Sequence, residues 1–299
     1  MAQVRLARRR PGSDYSRMKY TAVLILVALP LSAQNAPTAA SVIQVVRERS
    51  GAQLRTPTVD TFKTGDTTAR VTGVAVTMMA TLDVLKRAVE KGDNLIITHE
   101  PTFYSHRDTT GALESENDQV LAAKKKFIAD NKLIIWRFHD TPHAMRPDMI
   151  NAGMVKGLGW QAYVRDSTAN VFELPRTTVR SLVKQLETRL DAHAIRVAGN
   201  AGATVSRAVM TQGFWGFPAI RRIIQRSNPD VVIIGEDHEW ETIEYVIDAI
   251  SAGQIEALIV VGHVPSEQLG MLEFARWLRN AVPTVRVDFI PTPDSFRVF

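Results

Sequence analysis

The sequence predicts an α/β fold. After residue 70, short runs of β-branched residues alternate with amphipathic stretches, the pattern left by strands and helices that follow one another along a chain. Two of the apolar runs are followed closely by a histidine and a carboxylate. Ligands bind at the carboxyl ends of strands in such folds, so these two places are the first candidates for a site. The length allows one large domain or two lobes.

The predicted elements follow the alternation in order. Strands are expected at 71–78, 94–98, 133–138, 205–210, 231–235 and 256–262. Helices are expected at roughly 81–91, 117–130, 148–157, 177–190, 217–227, 239–252 and 266–280. Thr81 suits the N-cap of the first helix, and Gly92 lies just past its end, where a left-handed residue is favoured. Pro265 suits the first turn of the last helix.

An apolar run near the N-terminus predicts a signal peptide over residues 1–33. It covers Tyr20 to Leu31, is too short to span a bilayer comfortably, and follows several arginines. Small residues around Ala33 suit cleavage there, so we expect Sec-type export to the periplasm or secretion. An uncleaved membrane anchor is the alternative. Met18 is a second candidate start, and residues 34–57 form an N-terminal lead-in.

The distribution of charge argues against a nucleic-acid partner. Residues 1–33 hold six basic residues and one acidic residue, and their net +5 equals the formal charge of the whole chain. The rest of the chain is therefore near neutral, and we expect no nucleic-acid partner and no membrane partner after leader cleavage. The one remaining basic block, Lys124-Lys125-Lys126, is predicted to be a solvated helix face. The chain has no cysteine, which excludes disulfides and thiolate metal sites.

Two segments far apart in the chain carry candidate metal ligands. His99 and Glu100 follow one predicted strand, and His263 and Glu267 lie where another strand passes into a helix. Imidazole and carboxylate ligands indicate a hard or borderline metal ion. Each residue alone has an ordinary interpretation, since such a histidine is commonly structural and Glu267 suits a first helical turn. Their occurrence together favours a metal centre.

Three segments resemble the Nif-three-like dinuclear-metal family, often catalogued as GTP cyclohydrolase I type 2-like proteins. They are Asp93–Pro101, Asp230–Glu236 and Gly262–Gly270. The last is the most specific, with Gly-His, then Ser-Glu, then Gly at the opening of a helix. The resemblance runs from about residue 58 to residue 295.

The resemblance implies an α/β fold with two lobes flanking a metal-binding cleft. We expect a domain over 58–299, with one lobe from roughly 58–165 plus the C-terminal part and the other from 166–255. The family holds two divalent metal ions in the cleft, and zinc, manganese, iron, cobalt and nickel all remain open. Many bacterial members form ring-shaped hexamers, which makes a homo-oligomer an expectation here.

The family's metal ligands carry over residue by residue. Its first two ligand histidines fall on His99 and Glu100, and its ligand aspartate falls on His143. The final pair falls on His263 and Glu267 without change, and Glu267 is the expected bridge between the metals. One histidine has become glutamate and one aspartate has become histidine. The inventory of three imidazoles and two carboxylates is preserved, which favours retained metal binding over an eroded site.

Other residues are expected around the metals. His139 and Asp140 lie close enough to His143 to compete with it, so Asp140 is either an orienting residue or an alternative ligand. Glu236 ends a predicted strand and matches a Gly-Glu pair of the family. We expect Glu236 and His139 to assist proton transfer. Candidates for substrate contact are Trp215, His238 and, more weakly, His106. For the tryptophan, packing between the lobes is an equal alternative.

These residues predict a metal-dependent hydrolase acting on an unknown small molecule. Two ions a few ångströms apart would acidify a water molecule to a hydroxide nucleophile and stabilise charge on the attacked group. A metal-binding protein without turnover and an oligomeric scaffold with a structural metal are the alternatives. Export argues against GTP as the substrate, because nucleoside triphosphates are not expected in quantity outside the cytoplasm.

Overall fold

Two β-sheets, with helices between them and on their outer faces, form the fold. The computed structural model describes residues 36–54, 56–167 and 170–298. The predicted signal peptide and the second candidate start at Met18 lie outside the described residues. Within the described ranges, no helix combines the length and the apolar content needed to span a bilayer.

The strands alternate with helices as the sequence predicts, and the α/β fold class is confirmed. The strands are β1 (Phe62–Thr64), β2 (Val74–Thr77), β3 (Leu95–Thr98), β4 (Ile134–Arg137), β5 (Val164–Asp166), β6 (Val171–Thr178), β7 (Arg196–Gly199), β8 (Thr204–Phe214), β9 (Val231–Glu236), β10 (Ala257–Val260) and β11 (Val287–Phe289).

The helices are α1 (Ala39–Ser50), α2 (Leu82–Lys91), α3 (Gly111–Ser115), α4 (Gln119–Asp130), α5 (Asp140–Ala144), α6 (Met149–Leu158), α7 (Val179–Leu190), α8 (Phe217–Ser227), α9 (Glu244–Ser251) and α10 (His263–Ala281). A π-helical turn over Glu239–Ile243 leads into α9. Helix α1 lies in the segment that the sequence analysis treated as a lead-in.

The first sheet has the strand order β1-β4-β3-β2-β11. Its members run parallel except β1, which pairs antiparallel with β4 at the edge. The second sheet has the order β5-β6-β8-β9-β10-β7, and its central strands β8, β9 and β10 run parallel. Every residue of β2, β3, β4 and β10 is buried, because helices or the other lobe cover both faces of the parallel strands.

Helices α6 and α10 lie between the two sheets. Phe274 of α10 packs into the core of the first sheet, while Leu269 of the same helix packs against the core of the second. Helix α6 divides its apolar residues in the same way, with Ile150 in the first core and Met154 in the second. Helices α2 and α4 cover the outer face of the first sheet, and α8 and α9 cover that of the second.

The two central helices approach each other closely at a pair of glycines. A Cβ on Gly153 would lie 2.6 Å from the Cα of Gly270, and a Cβ on Gly270 would lie 2.5 Å from the Cα of Ile150. Helix backbones can come this close only where a side chain is absent. The contact fixes α10, which carries two of the predicted metal ligands, against α6.

The predicted helix caps are confirmed at α2. The hydroxyl of Thr81 accepts a hydrogen bond from the backbone N–H of Val84, and Gly92 ends the helix in the left-handed region. Helix α10 starts at His263, three residues earlier than predicted, so Pro265 lies within its first turn. This earlier start brings His263 onto the helix itself, one turn before Glu267.

Candidate metal centre

The candidate centre lies where the carboxyl ends of parallel strands from both sheets meet. His99 follows β3 and His139 follows β4 in the first sheet. In the second sheet, Gly213 lies at the end of β8, Glu236 ends β9, and His263 begins α10 shortly after β10. The two halves of the chain therefore contribute to one site, as expected for α/β folds.

Three imidazoles form the first group of candidate ligands. One ligand atom each of His99, His139 and His143 lies within 4.8 Å of the others. His99 stacks on His139 with ring centroids 4.8 Å apart, and His143 meets both rings edge-on. Helix α5 carries His143, and His139 immediately precedes that helix, so their four-residue spacing places both rings on one face.

Each of these three rings has its Nδ1 atom held by an oxygen acceptor. The partners are the carbonyl of Phe138 for His99 at 2.9 Å, Oδ1 of Asp140 for His139 at 3.0 Å and Oδ2 of Asp148 for His143 at 2.9 Å. An acceptor at Nδ1 favours the tautomer in which Nε2 carries the lone pair. Metal-binding histidines are oriented in the same way.

A second group of candidate ligands contains His99 with Glu100 and Glu267, all of them buried. Nε2 of His99 lies 3.5 Å from Oε2 of Glu267. Neither atom has a hydrogen-bond partner among the described residues, although both are buried. Buried polar atoms are normally paired, so two facing lone-pair donors without a proton between them fit a cation. The residues present therefore fit a metal ion.

His263 lies among three carboxylates. Its Nδ1 is 2.8 Å from Oε1 of Glu236, and its Nε2 is 3.1 Å from Oε1 of Glu100 and 3.2 Å from Oε2 of Glu267. Burial alone would lower the pKa of His263, but the hydrogen bonds to these carboxylates raise its pKa to about 12. The imidazolium is the positive charge that balances this acidic pocket.

The carboxylates of the centre are held in their ionised forms. Burial opposes ionisation, but the hydrogen bond with His263 and the nearby histidines hold the pKa of Glu100 well below its usual range. The attraction of the His263 imidazolium, whose Nε2 lies 3.2 Å from Oε2, lowers the pKa of Glu267 against the effect of burial. Burial lowers the pKa of His99 to about 4, so this ring is neutral at pH 7. Neutral imidazole and ionised carboxylate are the states that bind metals.

A buried arginine contacts the backbone and one carboxylate of the centre. Arg137 ends β4 without solvent exposure, and its Nε donates to the carbonyl of His99 at 3.1 Å. Its Nη1 donates to the carbonyl of His106, and its Nη2 lies 3.4 Å from Oε2 of Glu100. The guanidinium therefore orients Glu100 and fixes the turn that carries His99.

Asp60 holds the start of α5 in place. Its Oδ1 accepts the backbone N–H groups of His139 and Asp140, each at 2.8 Å, and its Oδ2 accepts the backbone N–H of Thr141 at 2.7 Å. A carboxylate that binds three successive N–H groups fixes the direction of the helix. Asp140 is tied down in turn, because its Oδ2 accepts a hydrogen bond from Thr58. The segment that contains Thr58 and Asp60 therefore fixes the positions of the His139 and His143 imidazoles.

Gly213 allows the second sheet to approach the ligands. A Cβ at this position would lie 2.6 Å from Oε1 of Glu267 and 3.1 Å from Nε2 of His263. The residue has φ +56, which favours glycine. Its N–H donates to the hydroxyl of Ser266 at 2.9 Å, which joins β8 to the first turn of α10.

Two cavities border the centre. One of about 470 Å³ and one of about 480 Å³ share Met79, Glu236 and His263 in their walls. The second cavity also reaches Glu100. Their size is that of small-molecule sites, and the shared wall places the candidate ligands at the junction.

The structure brings most of the predicted site residues together. The five predicted ligands His99, Glu100, His143, His263 and Glu267 all lie at the centre, and His139 belongs to the imidazole group. Asp140 orients His139, which is one of the two positions expected for it. Glu236 lies next to His263.

Two predicted substrate contacts lie elsewhere. His238 stacks on Trp240 at 4.5 Å and pairs with Glu241, and both His238 and Trp215 are exposed. Neither lines the two cavities within the described chain. His106 is closer to the centre, since its ring meets that of His139 edge-on at 5.6 Å.

Sequence reasoning missed four residues that build the centre: Asp60, Arg137, Asp148 and Gly213. Three of them act through contacts between distant segments, which no local pattern shows. For Asp148 a signal was present, because it stands at a helix N-cap position five residues after His143. That spacing allows it to cap α6 and to orient the imidazole with its second oxygen.

The expectation of a solvated Lys124-Lys125-Lys126 face was wrong for one of the three residues. Lys124 is 3% exposed, whereas Lys126 is fully on the surface and pairs with Asp130. The reason is the periodicity of α4, in which Lys124 falls on the same face as Leu121 and Ile128.

Comparison with solved structures shows a fold seen before. The Staphylococcus aureus hypothetical protein SA1388 matches with a TM-score of 0.66 and 15% identity, over 89% of this chain and 100% of that chain. A Bacillus cereus protein related to NIF3 matches with a TM-score of 0.69 and 13% identity, over 88% and 100%. The protein ybgI matches with a TM-score of 0.68 and 20% identity, over 87% and 100%. At these identities the similarity shows the fold alone.

No curated protein matches the chain by sequence. The family model described as Duf34/NIF3 (NGG1p interacting factor 3) matches residues 59–295, which is most of the chain. This match agrees with the resemblance found in the three sequence segments and with the folds of the solved structures. The chain belongs to the DUF34/NIF3 family.

Proposed function

We propose that this protein is a metal-dependent hydrolase of the cell envelope with a dinuclear centre, acting on a small molecule. The arrangement of the candidate ligand atoms gives the strongest support. Three imidazoles present their Nε2 atoms to one space, and the buried Nε2 of His99 faces Oε2 of Glu267, with no hydrogen-bond partner for either atom among the residues that the structure describes. Oriented imidazoles and a buried carboxylate in this arrangement are suited to bind a metal ion.

The side chains suggest how two ions would be shared. His99, His139 and His143 would hold one, and Glu100, Glu267 and, once its ring has lost a proton, His263 would hold the other. His99 also belongs to the carboxylate group, but its Nδ1 is engaged and its single free nitrogen serves one ion only. This division assigns His139 to metal binding, while the sequence analysis expected it in proton transfer.

Glu267 is the residue that we assign as the bridge. Its Oε2 lies 3.5 Å from His99 and 3.2 Å from His263, which belong to the two different groups. A carboxylate has lone pairs for both neighbours. A bound divalent ion would supply Lewis acidity and lower the pKa of water, which is the chemistry that hydrolysis requires.

Glu236 is the group that we assign to proton transfer. Its side chain is 54% exposed, borders both cavities and contacts Nδ1 of His263 at 2.8 Å. The hydrogen bond with His263 lowers the pKa of Glu236, so the carboxylate is ionised at pH 7 and can accept a proton. Its exposure lets it pass that proton to solvent.

The place of action is inferred from the predicted leader. The apolar run near the N-terminus is typical of a signal peptide, which supports export to the envelope. A location outside the cytoplasm argues for a substrate other than GTP. A homo-oligomer remains an expectation from the family.

The first experiment measures metal content per chain by elemental mass spectrometry on untagged protein purified without chelator. We expect about two equivalents in the wild type and a loss of most metal in Glu267→Ala. Glu273→Ala is the control, because Glu273 lies on the same helix and pairs with Lys156 at the surface. A wild type without metal after reconstitution would overturn the proposal.

Turnover is tested on the same preparations with phosphoesters, peptides and cyclic nucleobases. We expect one class to be hydrolysed by the wild type and by Glu273→Ala, with no turnover by Glu267→Ala. Two bound metals without hydrolysis of any class would favour a metal-binding protein without turnover. Full activity in Glu267→Ala would contradict the shared bridge.

A further inference from the structure

Lys124 is a buried cation that no step of the proposed chemistry uses. It projects from α4, is 3% exposed, and its Nζ donates to the carbonyl of Thr102 at 2.5 Å. Its Nζ also lies 4.9 Å from the ring centroid of Tyr104. A buried lysine is costly unless it is paired with a charge or neutralised. Here its observed hydrogen bond ends on an uncharged oxygen.

The next two lysines of the same helix each form an ion pair with a carboxylate. Lys125 pairs with Glu114 and Lys126 pairs with Asp130. No carboxylate within the described residues forms an ion pair with Lys124 in this way. An ammonium has three N–H donors, and the carbonyl of Thr102 accepts one. Lys124 is therefore held in place by one hydrogen bond, and its other N–H groups can donate to a ligand.

Lys124 lines the cavity of about 480 Å³ that reaches the candidate metal centre. The wall of this cavity runs from Glu100 and His263 at the centre, past Pro101 and Tyr104, to Lys124. A ligand in this space therefore meets the metal groups at one end and the side chain of Lys124 at the other. The dimensions suit a small molecule.

The start of α2 lies in the same wall, which also holds the carboxylates of Glu100 and Glu236 near the candidate metal centre. Thr81 and Leu82, the N-cap and first residue of that helix, also line the cavity. The N-terminal end of a helix attracts negative charge. Burial lowers the pKa of Lys124 to about 8, so the ammonium remains mostly charged at pH 7.

We propose that this cavity is an anion-binding subsite, in which Nζ of Lys124 binds a carboxylate or phosphate group of a small molecule whose other end lies at the metal centre. The connection to the metal centre rests on the proposed function, whereas anion binding by Lys124 does not. The assignment narrows the substrate class to anionic small molecules. Charge-assisted hydrogen bonds from a desolvated lysine make such recognition strong.

The test titrates inorganic phosphate and, separately, acetate into the wild type, Lys124→Met and the matched surface variant Lys126→Met, by calorimetry. We expect Lys124→Met to weaken binding of the preferred anion about tenfold or more, with Lys126→Met within twofold of the wild type. The preferred probe distinguishes a phosphate subsite from a carboxylate subsite. Equal affinities in all three proteins, or no binding of either anion, would overturn the proposal.

A second measurement covers the case in which Lys124→Met fails to fold. The wild type is labelled with ¹⁵N at lysine Nζ, and the Lys124 signal is identified by its absence from Lys124→Arg. We expect this signal to move on addition of the preferred anion while that of Lys126 stays in place. A Lys124 signal that does not respond would overturn the proposal.

Repeating the titrations on metal-stripped protein separates this proposal from the proposed function. Anion binding that depends on Lys124 and persists without metal supports the subsite, even if the wild type proves to bind no metal. Anion binding that disappears with the metal and is indifferent to Lys124→Met overturns the subsite and leaves the metal centre intact.

Discussion

Nε2 of His99 and Oε2 of Glu267 face each other at 3.5 Å, and both are buried with no hydrogen-bond partner in the described part of the chain. One residue follows a strand of the first sheet and the other lies on α10. Burial keeps His99 neutral, and His263 keeps Glu267 ionised. The pair is therefore ready to bind a cation without first losing a proton from His99, and the predictions below follow from the groups that hold it in this state.

Asp148→Asn should weaken metal binding while leaving the fold intact. Asp148 accepts from Nδ1 of His143 and caps α6 with its other oxygen. Loss of an orienting carboxylate typically costs about 10- to 100-fold in metal affinity. Competition of Zn²⁺ and Mn²⁺ with a fluorescent chelator measures the change.

The control for Asp148→Asn is Asp118→Asn. Asp118 caps α4 through the N–H of Leu121 at 2.7 Å and has no histidine partner. It should lose the same small capping energy and keep its metal affinity. Equal metal affinities in the two variants would show that Asp148 does not orient a ligand.

Gly213→Ala should lower the metal content of the protein, because it adds a methyl group next to the candidate bridge. The new Cβ would lie 2.6 Å from Oε1 of Glu267, so the candidate bridge must move. Gly216→Ala is matched to it, since Gly216 also has positive φ but the new Cβ would meet only the ring of Phe214 at 3.6 Å. Both variants should lose roughly 1–3 kcal/mol of stability from backbone strain. Metal content per chain should fall in Gly213→Ala alone, and an equal fall in both variants would count against the model.

Arg137→Met should destabilise the protein strongly. The guanidinium is fully buried, holds the carbonyl of His99 and lies beside the Glu100 carboxylate. Removing one partner of a buried charged pair costs about 3–5 kcal/mol, because the other charge is left without compensation. Urea unfolding measures the difference.

The surface variant Arg276→Met is the control for Arg137→Met. Arg276 pairs with Glu273 on the exposed side of α10, and surface pairs contribute about 0–1 kcal/mol. Saturating Zn²⁺ should reduce the loss in Arg137→Met, since an ion at Glu100 restores positive charge there. A loss of under 1 kcal/mol in Arg137→Met would show that Glu100 does not need its partner.

The lowered pKa of Lys124 predicts that the protein becomes more stable at alkaline pH. Its folded pKa of about 8 lies below its ordinary value of 10.5, so the unfolded chain binds more protons between these limits. The free energy of unfolding should therefore rise with pH across this window, by up to roughly 3 kcal/mol, relative to Lys124→Met. Urea unfolding at pH 7, 8, 9 and 10 measures the difference, and Lys126→Met should follow the wild type. A constant difference across the series would show that the lysine titrates normally.

The sequence predicted most elements with strong periodicity, and it missed the edge strands, the eight-residue β6 and helix α1. Helix α8 begins and ends at the predicted residues, because its Ile220, Ile223 and Ile224 mark one apolar face. Strands of three or four residues at the sheet edges, such as β7 and β11, have too few residues to show a period. Helix α1 was missed although Ala39, Val42, Ile43 and Val46 have helical spacing.

The predicted ligands came together because strand ends are positions that the sequence reveals. His99 and His263 each follow an apolar run closely, and parallel strands bring such ends to one edge. The groups that orient the ligands were not predicted, because their partners are distant in sequence and become neighbours only in the folded chain. Arg137 was hidden within a strand, and nothing in the chain near Asp60 shows that it binds the start of α5.

The division of the centre between distant segments imposes an order in time. A ribosome releases His99, His139 and His143 long before His263 and Glu267, which lie on the last long helix. We therefore expect the emerging chain to offer the three imidazoles and Glu100 first, and to complete the mixed carboxylate site when α10 docks. If the chain is exported as proposed, α10 docks only after translocation, and the metal supply of the envelope would then select the ions that complete the centre.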